Sequence, residues 1–139
     1  MRLAAFSMIA FAIAAGPAFA GPATDMATAH IDAVAKGDVA GILSGYGDTA
    51  ALAWVGGPLD GTYASPAALR DVWTKFSHAQ GAQALTVASI TEAANPKGAT
   101  VTADIALAGK NTVKVRYVLV YRGDKLVNEI WQVNPNASY

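Results

Sequence analysis

Few residues in this chain are equipped for chemistry, and one of them has an unusual setting. In the closing stretch "GDKLVNEIWQVN", Glu129 lies between Asn128 and Ile130 and two steps from Trp131, within a run that reads as a β-strand. A carboxylate enclosed by apolar side chains has its pKa raised by desolvation, which moves it towards a useful general base. Whether Glu129 faces inward depends on the preceding turn. A two-residue Gly123-Asp124 loop pairs Tyr121 with Leu126 and Tyr117 with Ile130, and sends Glu129 outward with Arg116 and Trp131. A three-residue Arg122-Gly123-Asp124 loop slips the register by one and brings Glu129 inside with Tyr117. Both registers are open to the sequence.

The other polar candidates have plainer readings. Asp104 alternates with Ala103 and Ile105 and is expected on the outer face of a sheet, paired with Lys114 or Arg116 across it. His30 falls within a helix, and His78 falls near a helix end, where a cation is favourable. With two histidines and no cysteine, the chain has no His-rich or thiolate metal site, no Cys nucleophile and no disulfide. The GxSxG, HExxH, Walker and GxGxxG patterns are absent, so no metal, nucleotide or flavin cofactor is expected. Trp54, Trp73 and Trp131 are core mass first; converging on one small cone, they would also suit a flat hydrophobic ligand.

These residues must be positioned by an orderly run of elements. From Thr24, the positions Ala27, Ile31 and Val34 follow helical spacing, and Lys36-Gly37 closes that helix. Asp38 caps a second short helix with a face of Val39, Ile42, Leu43 and Tyr46. Gly37, Gly41 and Gly45, four apart, suggest close backbone packing on a neighbour. Ala50 to Val55 reads as a strand ended by Gly56-Gly57-Pro58, and Leu59 to Ala64 as a brief edge strand or loop. Ser65-Pro66 opens a third helix with a buried stripe of Leu69, Val72, Trp73 and Phe76 and an exposed Asp71–Lys75 pair, ended at Gly81. Leu85–Ala93, Ala99–Ala108, Thr112–Arg122 and Lys125–Asn134 then read as strands separated by turn chemistry. Helices grouped first and strands grouped last predict an α+β fold with helices on one face of a curved sheet.

Length and charge bound the rest. Residues 1–20 carry Arg2, an apolar Ala-rich run and Ala18-Phe19-Ala20, the pattern of a cleaved export signal and not of a retained membrane anchor. The expected mature chain is one domain over residues 21–139, periplasmic or secreted, with no stable membrane insertion after cleavage. The 139-residue chain has ten basic and ten acidic residues, scattered rather than clustered, which makes nucleic acid an unlikely partner. The Asn136-Ala137-Ser138 sequon is too short a pattern to carry weight.

The order helix, Gly-Asp break, helix, strand, capped helix and four-strand meander resembles the nuclear transport factor 2-like superfamily, which includes ketosteroid isomerases and SnoaL-like polyketide cyclases. The stretch from His30 to Trp54, with Gly37-Asp38, Gly41-Ile42, Asp48 and Ala50, looks like the ketosteroid isomerase N-terminal segment. "GDKLVNEIW" looks like the final strand of SnoaL-like members. The resemblance implies a cone-shaped, cystatin-like α+β roll of antiparallel or mixed sheet. Its three helices lie in the N-terminal half, and the first two cover an apolar pocket at the open end. It also implies that Glu129 faces that pocket.

Carried over residue by residue, the resemblance puts Trp54 at the isomerase's base, His30 at its oxyanion-binding tyrosine and Tyr117 at the partner donor. An indole has no accessible proton acceptor, so family-type isomerisation is not expected. The expected pocket residues are His30, Tyr46, Trp54, Trp73, Tyr117, Glu129 and Trp131, with Glu129, His30 and Tyr117 the weak catalytic candidates. Three functions follow as expectations: a domain binding a small hydrophobic ligand without turnover, an acid–base isomerase, cyclase or dehydratase, or a homodimeric structural or interaction module.

Overall fold

The structure is a computed structural model that describes residues 21–139; the export signal expected over residues 1–20 lies outside them. Three helices and six strands follow in the order α1 (Pro22–Lys36), α2 (Val39–Ser44), β1 (Tyr46–Val55), β2 (Gly61–Tyr63), α3 (Pro66–Gln80), β3 (Ala84–Asn95), β4 (Gly98–Ala108), β5 (Thr112–Arg122) and β6 (Lys125–Val133). The strands form one curved mixed sheet in the order β2-β1-β6-β5-β4-β3. Among these strands only β1 and β6 run parallel; every other neighbouring pair is antiparallel.

The helix ends obey local chemistry. Gly37 closes α1 with φ +69° and donates its N–H to the Ala33 and Val34 carbonyls, a left-handed cap that favours glycine. A Cβ there would also collide with Ser77 Oγ on α3, so the same residue lets the two helices approach. Gly41 instead leaves room for the Asp38 carboxylate, which caps α2 by accepting from the Gly41 N–H at 3.0 Å. Ser65 caps α3 by accepting from Ala68 N–H at 3.1 Å. The α3 stripe of Leu69, Val72, Trp73 and Phe76 is buried against the sheet, each side chain contributing about 1.5–3 kcal/mol by leaving water.

The core lies between the helices and the inner face of the sheet. Alternate residues point inward: Ala50, Leu52 and Trp54 on β1, Val101 to Leu107 on β4, and Val115, Tyr117, Leu119 and Tyr121 on β5. Asp104 faces outward and is held by Arg116 at 2.9 and 3.1 Å. That guanidinium, more than anything else near it, keeps the Asp104 carboxyl below its ordinary range.

Tyr46 departs from expectation. Its spacing assigns it to the α2 face, but α2 ends at Ser44 and Tyr46 begins β1, paired with Leu126. The Leu126 N–H donates to the Gly45 carbonyl at 2.9 Å, so the parallel ladder with β6 captures the chain before another helical turn forms.

The register of β6 combines features of both expected alternatives. The Gly123-Asp124 turn has two residues, with Arg122 opposite Lys125 and Tyr121 opposite Leu126. An extra residue then enters β6, so that Asn128 pairs with Val120 while Tyr117 faces Trp131 and Leu119 faces Glu129. This bulge around Val127 turns Leu126, Glu129 and Trp131 all inward. Deleting Val127 is therefore expected to expel Glu129 and Trp131 and abolish cooperative unfolding. Val127→Ala, which keeps the residue count, should unfold cooperatively in urea and lose no more than about 1.5 kcal/mol.

Candidate functional site: a buried carboxylate network and a rim cleft

Glu129 has no exposed surface, and the side chains around it account for its hydrogen bonds. Tyr46 Oη donates to one carboxylate oxygen and Tyr117 Oη to the other. Trp73 Nε1 donates to Tyr46 Oη at 2.7 Å. His30 Nε2 lies 2.9 Å from Tyr117 Oη and 3.2 Å from Glu129 Oε2. The Tyr117 proton is already committed to Glu129, so the tautomer that completes the set carries a proton on Nε2. The result is a convergent chain: an indole and an imidazole each donate to a phenol, and both phenols donate to one carboxylate.

Four elements or pairs supply this network: α1 gives His30, β1 Tyr46, α3 Trp73, and the β5–β6 pair Tyr117 and Glu129. Burial first and the Glu129 charge second push both the Tyr46 and Tyr117 phenols well above their ordinary range. Tyr121 is raised in the same way and by the same two causes. The hydroxyls therefore stay protonated as donors, the form in which Glu129 is satisfied. Such a network is held in place by its own bonds, since a lost partner leaves a buried charge exposed to low dielectric.

All seven expected pocket residues gather in this interior, where their rings pack against one another. Trp73, Tyr117, Glu129 and Trp131 have no surface open to solvent. Trp131 sits 4.9 Å from Tyr117, 5.0 Å from Trp54 and 5.3 Å from both Trp73 and Phe76, measured between ring centroids. Aromatic bulk occupies the volume that the resemblance assigned to a ligand, which corrects the expectation of an open cone. The Trp131 Nε1–H has no partner among the described residues, a cost of about 1–3 kcal/mol that this packing carries.

His30 and Tyr46, two members of the network, line separate depressions of about 190 and 370 Å³. The expected base position, Trp54, is surrounded by Trp73, Phe76 and Trp131. Its exposed edge opens onto a different feature, a cleft of about 440 Å³ at the rim of the cone. Trp54, Phe76, Leu59, Val113 and Val133 wall this cleft, with Lys75 at its border. Gly56 and Gly57 line it with φ +90° and +75°, conformations that exclude most side chains. The sequence marked Trp54 but held no signal for the cleft, because its walls come from β1, α3, β5 and β6 together. Among the described residues, no three His, Asp or Glu side chains converge as a metal site would.

The sequence matches no protein-family model and no curated protein. Solved structures do resemble it in shape. A nuclear transport factor 2-like protein of unknown function from Pseudomonas putida superposes with a TM-score of 0.67 at 17% identity, covering 82% of this chain and 85% of that one. A ketosteroid isomerase-like protein from Erwinia carotovora atroseptica gives 0.62 at 13% identity, covering 78% and 91%. A protein of unknown function with a cystatin-like fold from Nostoc punctiforme gives 0.64 at 14%, covering 84% and 91%. The fold is thus nuclear transport factor 2-like, as the sequence resemblance implied.

The network makes its own expectation about pH. Burial and Glu129 raise the folded pKa of Tyr46 and Tyr117 above the unfolded value of about 10. The stability these phenols contribute is therefore complete below pH about 10 and lost as pH rises beyond it. Ultraviolet titration should find Tyr46, Tyr117 and Tyr121 un-ionised at pH about 11 in folded protein, with ionisation coinciding with unfolding. Tyr46→Phe and Tyr117→Phe should each lose about 1–3 kcal/mol in urea denaturation, because each removes a phenol that donates to the buried Glu129 carboxylate.

Proposed function

We propose that the protein binds a small hydrophobic molecule without transforming it, at the rim cleft and not in the depth of the cone. The observation that carries this reading is the cleft itself, whose walls are chiefly apolar and include the edges of Trp54 and Phe76. A concave apolar site with a few polar groups at its border is the usual form of a small-molecule site. The chemistry of the interior supports the absence of turnover. Trp54 offers no proton acceptor, and Glu129 is enclosed with both oxygens occupied.

A second reading, an acid–base enzyme, is favoured by one observation: Glu129, Tyr117 and His30 meet within hydrogen-bonding distance. An interaction role is favoured by another. Val55 and Ile130 are exposed at 44% each on the outer sheet face, an apolar surface on which a second copy of the chain would pack.

Tryptophan emission distinguishes the first reading. Flat apolar probes should quench it saturably, and Ala79→Phe, which fills the cleft from an exposed position on α3, should weaken binding about tenfold or more. Equal affinity in that variant excludes the cleft. Catalysis through Glu129 predicts turnover that Glu129→Gln lowers by about 10²-fold, and an unchanged rate removes it. For the interaction role, sedimentation should show a dimer that Ile130→Lys converts to a monomer.

A further inference from the structure

The start of α1 is capped from an unexpected direction. Gly21 occupies the N-cap position and supplies no side-chain bond. Glu92, on the edge strand β3, takes that role. Its Oε2 accepts from Thr24 N–H at 2.7 Å and from Thr24 Oγ at 2.9 Å, across 68 positions of sequence. The same carboxylate lies against Gly21, where a Cβ would overlap both Oε1 and Oε2. The Gly21 nitrogen and such a Cβ share one carbon and lie about 2.5 Å apart. The nitrogen is therefore within about 5 Å of Glu92 Oε1.

Gly21 is also the residue that would follow a cut after Ala18-Phe19-Ala20. We infer that removal of residues 1–20 installs a charge partner for Glu92: the new α-ammonium of Gly21 closes an ion pair with this carboxylate and ties α1 to β3 in the mature chain. The processing step is hydrolysis by a leader peptidase. Water adds across the Ala20–Gly21 amide, its hydroxyl going to the Ala20 carboxyl and its hydrogen to the Gly21 nitrogen, which is then protonated. Before the cut that nitrogen is a neutral amide and can give at most a hydrogen bond. After it, a full positive charge stands beside a carboxylate at the end of a helix.

The placement makes the pair specific. Among the described residues lining the groove between the start of α1 and the β3–β4 turn, Glu92 is the only one with an ionisable side chain. On α1 the nearest charge is Asp25, exposed in the first turn, which attracts the ammonium as well. The adjoining turns carry Lys97 and Asp124, both exposed and of opposite sign. Any side chain at this position would push aside the carboxylate that receives the charge.

The test begins with the full chain expressed with its leader in a Gram-negative host. Intact mass of the exported product should read a start at Gly21; any other start overturns the inference. The mature protein is then melted with its amine free or enzymatically acetylated, each in the unsubstituted chain and in the Glu92→Gln variant. Acetylation should lower the Tm by about 3–5 °C at pH 6 in the unsubstituted chain and have little effect in the variant. The amine's unfolded pKa is about 7.7–8.0, and Glu92 raises its folded value. The difference is therefore complete at pH about 6 and fades as pH rises through that folded value, towards pH about 10. Equal acetylation effects in the two backgrounds, or a difference that persists at pH about 10, overturn the pairing. Gly21→Ala should still be processed yet melt lower, because its methyl group displaces Glu92 from Thr24.

Discussion

One carboxylate held in an aromatic interior sets the terms for the rest of this molecule. An unpaired charge at Glu129 would cost several kcal/mol in such surroundings. The chain surrounds it with donors drawn from every layer of the fold: Tyr46, Tyr117, His30 and, one bond further out, Trp73. Each donor is useful only if its own element is in place. The carboxylate therefore couples the closing of α1 and α3 over the sheet to the pairing of β1, β5 and β6.

The same interior explains how a fold that the sequence resemblance paints as a hollow cone is solid here. Trp54, Trp73, Trp131 and Phe76 are large enough that edge-to-face and tilted contacts near 5 Å leave no room between them. Tight packing stabilises the domain through buried apolar area and dispersion. It also moves any space for a guest outward, to the rim where Gly56 and Gly57 line a cleft together with Phe76 and Val133. Filling the centre and keeping a deep pocket are alternatives, and these residues take the first.

Much of the architecture was legible because it is local. Gly37, Asp38 and Ser65 announce helix ends through backbone chemistry that depends on neighbours within four positions, and the turns between β3 and β6 announce the meander in the same manner. What stayed illegible depends on distant partners. Tyr46 fits a helical face by spacing, and only Leu126 on the far strand makes it part of a sheet. The bulge at Val127 adds a residue without altering composition, so neither simple turn length predicted a short turn together with an inward Glu129. The resemblance placed the three indoles in one cone, but nothing in the sequence showed that their shapes would pack it closed. Glu92 reads as an ordinary edge-strand residue until α1 is laid beside it.

The parallel joining of β1 to β6 carries a kinetic meaning. Tyr46 and Glu129, bonded at the centre of the molecule, are separated by 83 positions, and the last strand sits in the middle of the sheet between β1 and β5. The helices and the β3–β4–β5 hairpins can form early from nearby segments, yet the sheet has a vacant slot until β6 arrives. The strands on either side of that slot stay unjoined until β6 pairs with both, so the sheet closes in a single late event that draws its two halves together.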